Sequence, residues 1–256
     1  MIRKPLCLAV LLALAPALAQ AGGSAVIEAH SEKEDRSGTF IIEYDDHGDA
    51  RMTPKDGNRG YLIVRDGNAY SVVNNEEGVR VLDMKQVASV LQGMPRLGAG
   101  GGGRGGDFGS RLGGRSPRVA ADMVEIKSFE KTGKTETVAG VKGDVYEIRY
   151  SDPDGNVKST DLVLSADKRA WEFSQAMYSI GADVRSSMGR EGQGRGEVFW
   201  SRLKQEKLGL LRFGEQLKVT ELSGETPPAG RFELPAQVTP VNGFRDLMAL
   251  RGMRGG

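Results

Sequence analysis

Side chains able to do chemistry are scarce in this chain. His30 and His47 are its only imidazoles, and Cys7 is its only thiol. Nucleophilic catalysis needs a base held against a nucleophile and a third group that orients the base. No GxSxG elbow is present to supply the first of these. Carboxylates are numerous, but they alternate with apolar residues, as solvated strand faces do. A hydrolase built on two carboxylates has no sharper mark here. Sugar stacking would draw on only two Trp, six Tyr and eight Phe. Asp45–Asp49 and Asp152–Asn156 space their oxygens as a cation loop would. In the second, Val157 stands where an EF-hand loop needs Gly, and Glu is missing at the twelfth position. Asp, Asn, Gly and Pro also make turns, and both segments are expected to be turns. The expectation is therefore no enzyme, no catalytic residue, no metal ligand and no cofactor.

Two further patterns weaken in context. Gly98-Ala99-Gly100-Gly101-Gly102-Gly103 matches GxGxxG, but a phosphate cradle needs that motif between a strand and a helix. Here it follows a helical pattern inside a low-complexity stretch. Arg104-Gly105-Gly106 and Arg254-Gly255-Gly256 look like RNA-binding elements, which work within a basic field. The chain carries 35 basic against 34 acidic residues, so no nucleic-acid partner is expected.

Apolar faces remain. Met84, Val87, Leu91 and Met94 recur at helical spacing within 83–94, and Phe173, Met177 and Ile180 do so within 168–185. The simplest role for such faces is to cover a core. The other is to line a cavity between a curved sheet and its helices, where Met adapts to varied ligands. Met84, Val87, Leu91, Met94, Phe173, Met177 and Ile180 are the expected lining.

The elements that must position these helices are strands. Phe40, Ile42 and Tyr44 alternate with Ile41, Glu43 and Asp45. Tyr61–Val64 and Tyr70–Val73 flank Asp66-Gly67-Asn68 as a hairpin, in which Gly67 and Asn68 tolerate positive φ. Val79–Leu82, Met123–Phe129, Val145–Tyr150, Val157–Leu164, Leu208–Phe213 and Leu217–Leu222 read as further strands, after a first one at Val26-Ile27. The count reaches about ten or eleven, the pattern of a large curved antiparallel sheet or open barrel with two or three helices. The class is mainly β, in an α+β arrangement. Ser165 is placed to cap the second helix, with Asp167 in its first turn, and a shorter helix is expected over 198–206. Each half reads as strands followed by an amphipathic helix.

Arg3 and Lys4, then an uncharged apolar run from Leu6 to Ala15, then Ala19-Gln20-Ala21, form an export signal. That run is shorter than the roughly 20 residues a span requires. Residues 1–21 are expected to be cleaved, removing Cys7 and leaving a soluble, cysteine-free chain in the periplasm with no transmembrane span. Ten of the eighteen residues in 98–115 are Gly. Ordering such a stretch costs about 1–2 kcal/mol per residue with little to bury in return. Residues 97–118 are expected as a disordered Gly/Arg-rich loop inside one domain, 22–242. Phe232-Glu233-Leu234-Pro235 is expected to close the core, and 243–256 to form a flexible tail.

Several stretches resemble an uncharacterised group of secreted bacterial proteins in the periplasmic lipoprotein-carrier (LolA/LolB-like) superfamily. They are Gly60–Val64 with Asp66–Val73, Glu136–Gly140 running into Val145–Glu147, Asp161–Ser165 before the Lys168 helix, Gly209–Arg212, and Phe232–Pro235. The resemblance spans about 24–241. It implies an open barrel of about eleven antiparallel strands with helices in its concave face. In the carriers that face holds acyl chains; in related sensor domains of envelope-stress regulators the fold meets lipid and protein partners. The glycine-rich insertion and the Gly/Arg tail are not carrier features, and no residue here matches the carriers' gating arginine. The expected function is binding of an apolar ligand, a lipid or lipoprotein acyl chain. The alternative is an envelope interaction or sensor module that meets a protein partner without a small ligand.

Overall fold

The structure, a computed structural model, describes residues 22–31, 36–56, 60–75, 78–93, 120, 122–189, 196–243 and 245–247. The expected signal peptide, Met94, the 97–118 loop and most of the 243–256 tail lie outside them. Eleven strands make one antiparallel sheet: β1 (Gly23–Ser31), β2 (Arg36–Tyr44), β3 (Ala50–Pro54), β4 (Tyr61–Arg65), β5 (Asn68–Asn75), β6 (Gly78–Asp83), β7 (Glu125–Val138), β8 (Val141–Ser151), β9 (Val157–Ser165), β10 (Gly209–Phe213) and β11 (Leu217–Ser223). Their order across the sheet is β6-β5-β4-β3-β2-β1-β11-β10-β9-β8-β7. Two meanders are thus joined where β1 pairs with β11, and the sheet stays open between β6 and β7. This is the curved sheet with helices that the strand patterns imply. Register shifts at Val26/Ile27, Leu210/Arg212 and within β7 add twist and bend the strands.

Among the described residues, three α-helices, α1 (Met84–Gln92), α2 (Lys168–Ser187) and α3 (Glu197–Glu206), and a short 3-10 helix at Ala229–Phe232 complete the architecture. Asp83 caps α1 by accepting from the Lys85 N–H. Asp167, not Ser165, caps α2: its carboxylate accepts from the Arg169 N–H. Ser165 instead donates its hydroxyl to the Lys142 carbonyl (2.8 Å) and accepts from the Asp167 N–H. A residue too early to reach the helix becomes a brace between strand and helix start.

Alternation puts Ile42, Leu62, Val64, Ala69, Ile148 and Leu162 on the concave face with Phe173 and Phe199, in one continuous core. In the β4–β5 hairpin the positive φ angles fall on Asp66 (51°) and Gly67 (69°), one residue earlier than expected, because Asn68 already pairs with Arg65. The two Asp-rich segments are turns. Asp45 Oδ1 accepts the His47 and Asp49 N–H groups, and Asp152 Oδ1 accepts those of Asp154 and Asn156. β3 and the second half of β7 were not legible as strands. β3 ends in Pro54, and β7 runs through Gly133 at φ 79°.

The C-terminal chain differs most from expectation. Phe232 is buried, and Arg231 forms a two-point ion pair with Glu43 on β2 (2.9 and 2.7 Å). Leu234 and Val238 pack on Ile63, Val72 and Val81, which lie on the convex face. Val238 bridges Val81 in parallel, and the Thr239 N–H donates to the Val81 carbonyl (2.7 Å). Val241 and Leu247 then pack against Leu82 and Val87 on the concave face. The chain thus wraps round edge strand β6 from one face to the other. Leu247, inside the segment expected as a free tail, is fully buried. The expected core limit at Leu234-Pro235 comes too early.

Candidate functional site

The helix faces expected to line a cavity are separated by the structure into two groups. Met84, Phe173 and Ile180 are buried in the main core, with Met177 packed half-buried against it. Val87 and Leu91 belong to the smaller cluster beneath the C-terminal wrap, with Val241 and Leu247. Sequence spacing places residues on a helix face, but it does not say which neighbour covers that face.

α2 crosses the concave face, touching β10, β11 and β1 on one side and β4 and β5 on the other. Two buried hydroxyls fasten it. Ser174 Oγ accepts from the Leu210 N–H (2.7 Å), and Ser187 Oγ accepts from the Ala69 N–H (3.2 Å). Both serines are essentially inaccessible to solvent. The first bond lies at the β10 bulge, where the ladder register breaks. Each bond satisfies a buried backbone donor that would otherwise be unpaired. Gly209 brings strand and helix together, since a Cβ there would overlap the backbone of Ala170 and Trp171. The sequence reading missed Ser174, Ser187 and Gly209. Two polar residues on an otherwise apolar helix face were the available signal.

Two depressions on the surface of the described residues stand out, and neither is lined by the expected cavity residues. The first, about 500 Å³, lies over β7 to β10. Its centre is Arg212, which bonds Glu136 through Nε (3.2 Å) and Nη2 (3.0 Å) and reaches Asp161 with Nη2 (2.6 Å). Only 15% of the Arg212 side chain is exposed. The hydrogen bond from Arg212 holds the Asp161 carboxyl below the usual carboxylate range, against the opposing effect of desolvation. Three strands are tied together here: β7 by Glu136, β9 by Asp161, β10 by Arg212. With both carboxylates engaged by one guanidinium, the cluster acts as a clamp on the far end of β7.

The second depression, about 450 Å³, lies between β7 and α3. Ile126, Lys127, Ser128 and Phe129 line one side; Val198, Ser201, Arg202 and Gln205 line the other. The helix residues stand at i, i+3, i+4 and i+7, a single stripe. α3 is held in place by Phe199, edge-on to Phe213 at 5.6 Å, and by the Tyr178 hydroxyl, which donates to Glu197 (2.6 Å). The Arg202 guanidinium lies 5.5 Å over the Phe129 ring. Val124, Val157 and Val198 are three of the four large apolar side chains exposed among the described residues. Val124 stands just before β7 and Val198 at the start of α3, and the Gly196 N–H donates to the Met123 carbonyl. Val157 stands two strands further in, at the start of β9, opposite Ser151.

Fold and surfaces together define an open antiparallel sheet whose concave face is filled by its own helices, with one edge wrapped and the other without a partner strand among the described residues. No family model and no curated protein matches the chain. Among solved structures, the complex of MucA and MucB from Pseudomonas aeruginosa is similar at 15% identity and a TM-score of 0.31, over 87% of this chain and 58% of that one. The chain therefore spans less than two thirds of that neighbour's length. Among the described residues no helix is long and apolar enough to cross a membrane.

Proposed function

We propose that this is an exported, non-enzymatic protein of the cell envelope that works by binding another protein through the β7 end of its sheet. The observation that carries this reading is the exposure of Val124 and Val198, just before β7 and at the start of α3, beside a sheet edge that no described strand pairs with. Apolar side chains scattered singly need no explanation, whereas clustered ones beside a bare edge mark interaction surfaces. The opposite edge, by contrast, is wrapped by the protein's own C-terminal chain. The test is a photo-crosslinking residue at position 124 or 198 in cells, with position 79 as control, since Val79 is also exposed but adjoins the wrapped edge. A discrete protein adduct from 124 and 198, missing at 79, is expected. Equal labelling at all three positions, or none, defeats the reading.

A second reading keeps the apolar ligand, a lipid or acyl chain held between α2 and the sheet. Met177, Val184 and Met188 support it, because they are only half-buried along α2. A ligand there must displace a helix fastened at both ends. Native mass spectrometry of protein released gently from cells tests it, with a bound lipid as the expected result and bare protein as the refutation.

A further inference from the structure

β7 is the last strand of the sheet, and among the described residues nothing pairs with its outer edge. Every strand at an edge presents a row of unused N–H and C=O groups. What distinguishes β7 is the wall facing it. The α3 stripe from Val198 to Gln205 is about 10 Å long at 1.5 Å per residue, the length of about three residues of strand. Edge strand and helix together form a trough that is open along its length, the geometry in which an extended segment adds to a sheet while its side chains meet a helix. We infer that this trough receives an extended peptide segment of a partner protein, which adds as a strand to β7 and carries an acidic residue between apolar ones.

The apolar positions follow from Ile126 and Phe129 on the strand side and Val198 on the helix side, with Val124 exposed just before β7. The acidic position follows from charge. Among the eight described lining residues Lys127 and Arg202 are cations, and none of these eight is an acid. Their present partners, Glu125 (2.7 Å) and Glu206 (2.6 Å), lie outside the trough in solvent. Exposed ion pairs of this kind cost little to exchange, so an incoming carboxylate can take up either cation. A second copy of this chain is a poorer occupant. Lys127, Lys131 and Lys134 along β7, with two breaks in register, are features that oppose edge-to-edge pairing of like strands. The α3 wall is already rigid through Phe199 and Tyr178, which limits the ordering cost on binding.

This inference rests on the protein-binding reading above, and its experiment can fail separately. Octapeptides displayed from a random library are selected on the full mature chain, and the enriched peptides are synthesised with a fluorescent label. Enrichment of an acidic residue flanked by Val, Ile, Leu or Phe is expected. Hydrogen exchange should slow in 125–131 when such a peptide is added. Arg202→Glu should weaken binding at least tenfold while leaving the melting temperature within a degree or two. Because a charge reversal on α3 tests only the side-chain contact, alternate peptide bonds of the selected peptide are also N-methylated; strand addition then loses most of its affinity. Enrichment of basic peptides, protection elsewhere on the sheet, or full binding by the N-methylated peptide overturns the inference. So does a dimer in solution that Lys127→Glu strengthens. If crosslinking at 124 still captures a protein in any of these cases, the protein-binding reading survives and only the strand-addition mode falls.

Discussion

Removing the side chain of Leu247 should destabilise the protein measurably, although Leu247 lies only nine residues before Gly256. Its side chain is inaccessible to solvent and closes a small cluster with Leu82, Val87 and Val241. The backbone around it is held by few bonds. The Leu247 and Asp246 N–H groups donate to the Gly243 carbonyl, the Asn242 N–H donates to the Asp246 carboxylate, and the Val241 N–H donates to Gln86 Oε1 (3.3 Å). Leu→Ala in a core costs about 2–5 kcal/mol, with the lower values where surroundings can collapse into the space. A four-residue cluster at a sheet edge, covered by a loosely tied segment, belongs at about 2–3 kcal/mol. In a domain of this size each kcal/mol shifts the melting temperature by about 2–4 °C, so Leu247→Ala should melt about 4–12 °C lower. Truncation after Val241 should do at least as much, because it also removes the bonds around Asn242 and Asp246. Differential scanning calorimetry of the protein and both variants measures this. A shift below 1 °C in both would show that the wrap contributes nothing to the core.

Gly209→Ala should destabilise by roughly 2–3 kcal/mol or prevent folding, because its Cβ meets helix backbone and not a movable side chain; urea unfolding reads the loss directly. Ser174→Ala and Ser187→Ala each leave a buried N–H unpaired at about 1–3 kcal/mol. The two sites fasten α2 to opposite halves of the sheet, so their effects should add in the double variant; marked non-additivity would show that α2 responds as one unit. Arg212→Met should change the response to acid. Asp161 has its pKa lowered in the folded state, so its contribution is present above the unfolded carboxylate pKa, about 3.9, and is lost as pH falls through the lower folded value. The urea midpoint should therefore drop less between pH 5 and pH 2 in Arg212→Met than in the parent; an equal drop would separate Asp161 from acid unfolding.

Local rules, read from the sequence alone, were enough to establish that the chain builds a large antiparallel sheet with a few helices on it. Period-two alternation in Phe40–Tyr44 and Val145–Tyr150, turn chemistry at Asp66-Gly67 and Asp152–Asn156, and helical spacing from Met84 and from Lys168 each depend on residues close in the chain. The same rules left β3 and the end of β7 unread, since Pro54 and Gly133 speak against strands that only pairing with β2, β4 and β8 sustains. They could not tell Ser165 from Asp167 as the cap of α2, a difference of two residues decided by where the helix begins. Only the tertiary structure decided what covers each apolar face. Val87 and Leu91 meet the C-terminal wrap while Phe173 and Ile180 meet the sheet, a division made by contacts across more than 150 residues of chain for Val87 and Val241. It also decided that β6 is wrapped while no described strand pairs beyond β7. An edge is a property of strand order, and strand order comes from pairing between distant segments, which no local pattern records.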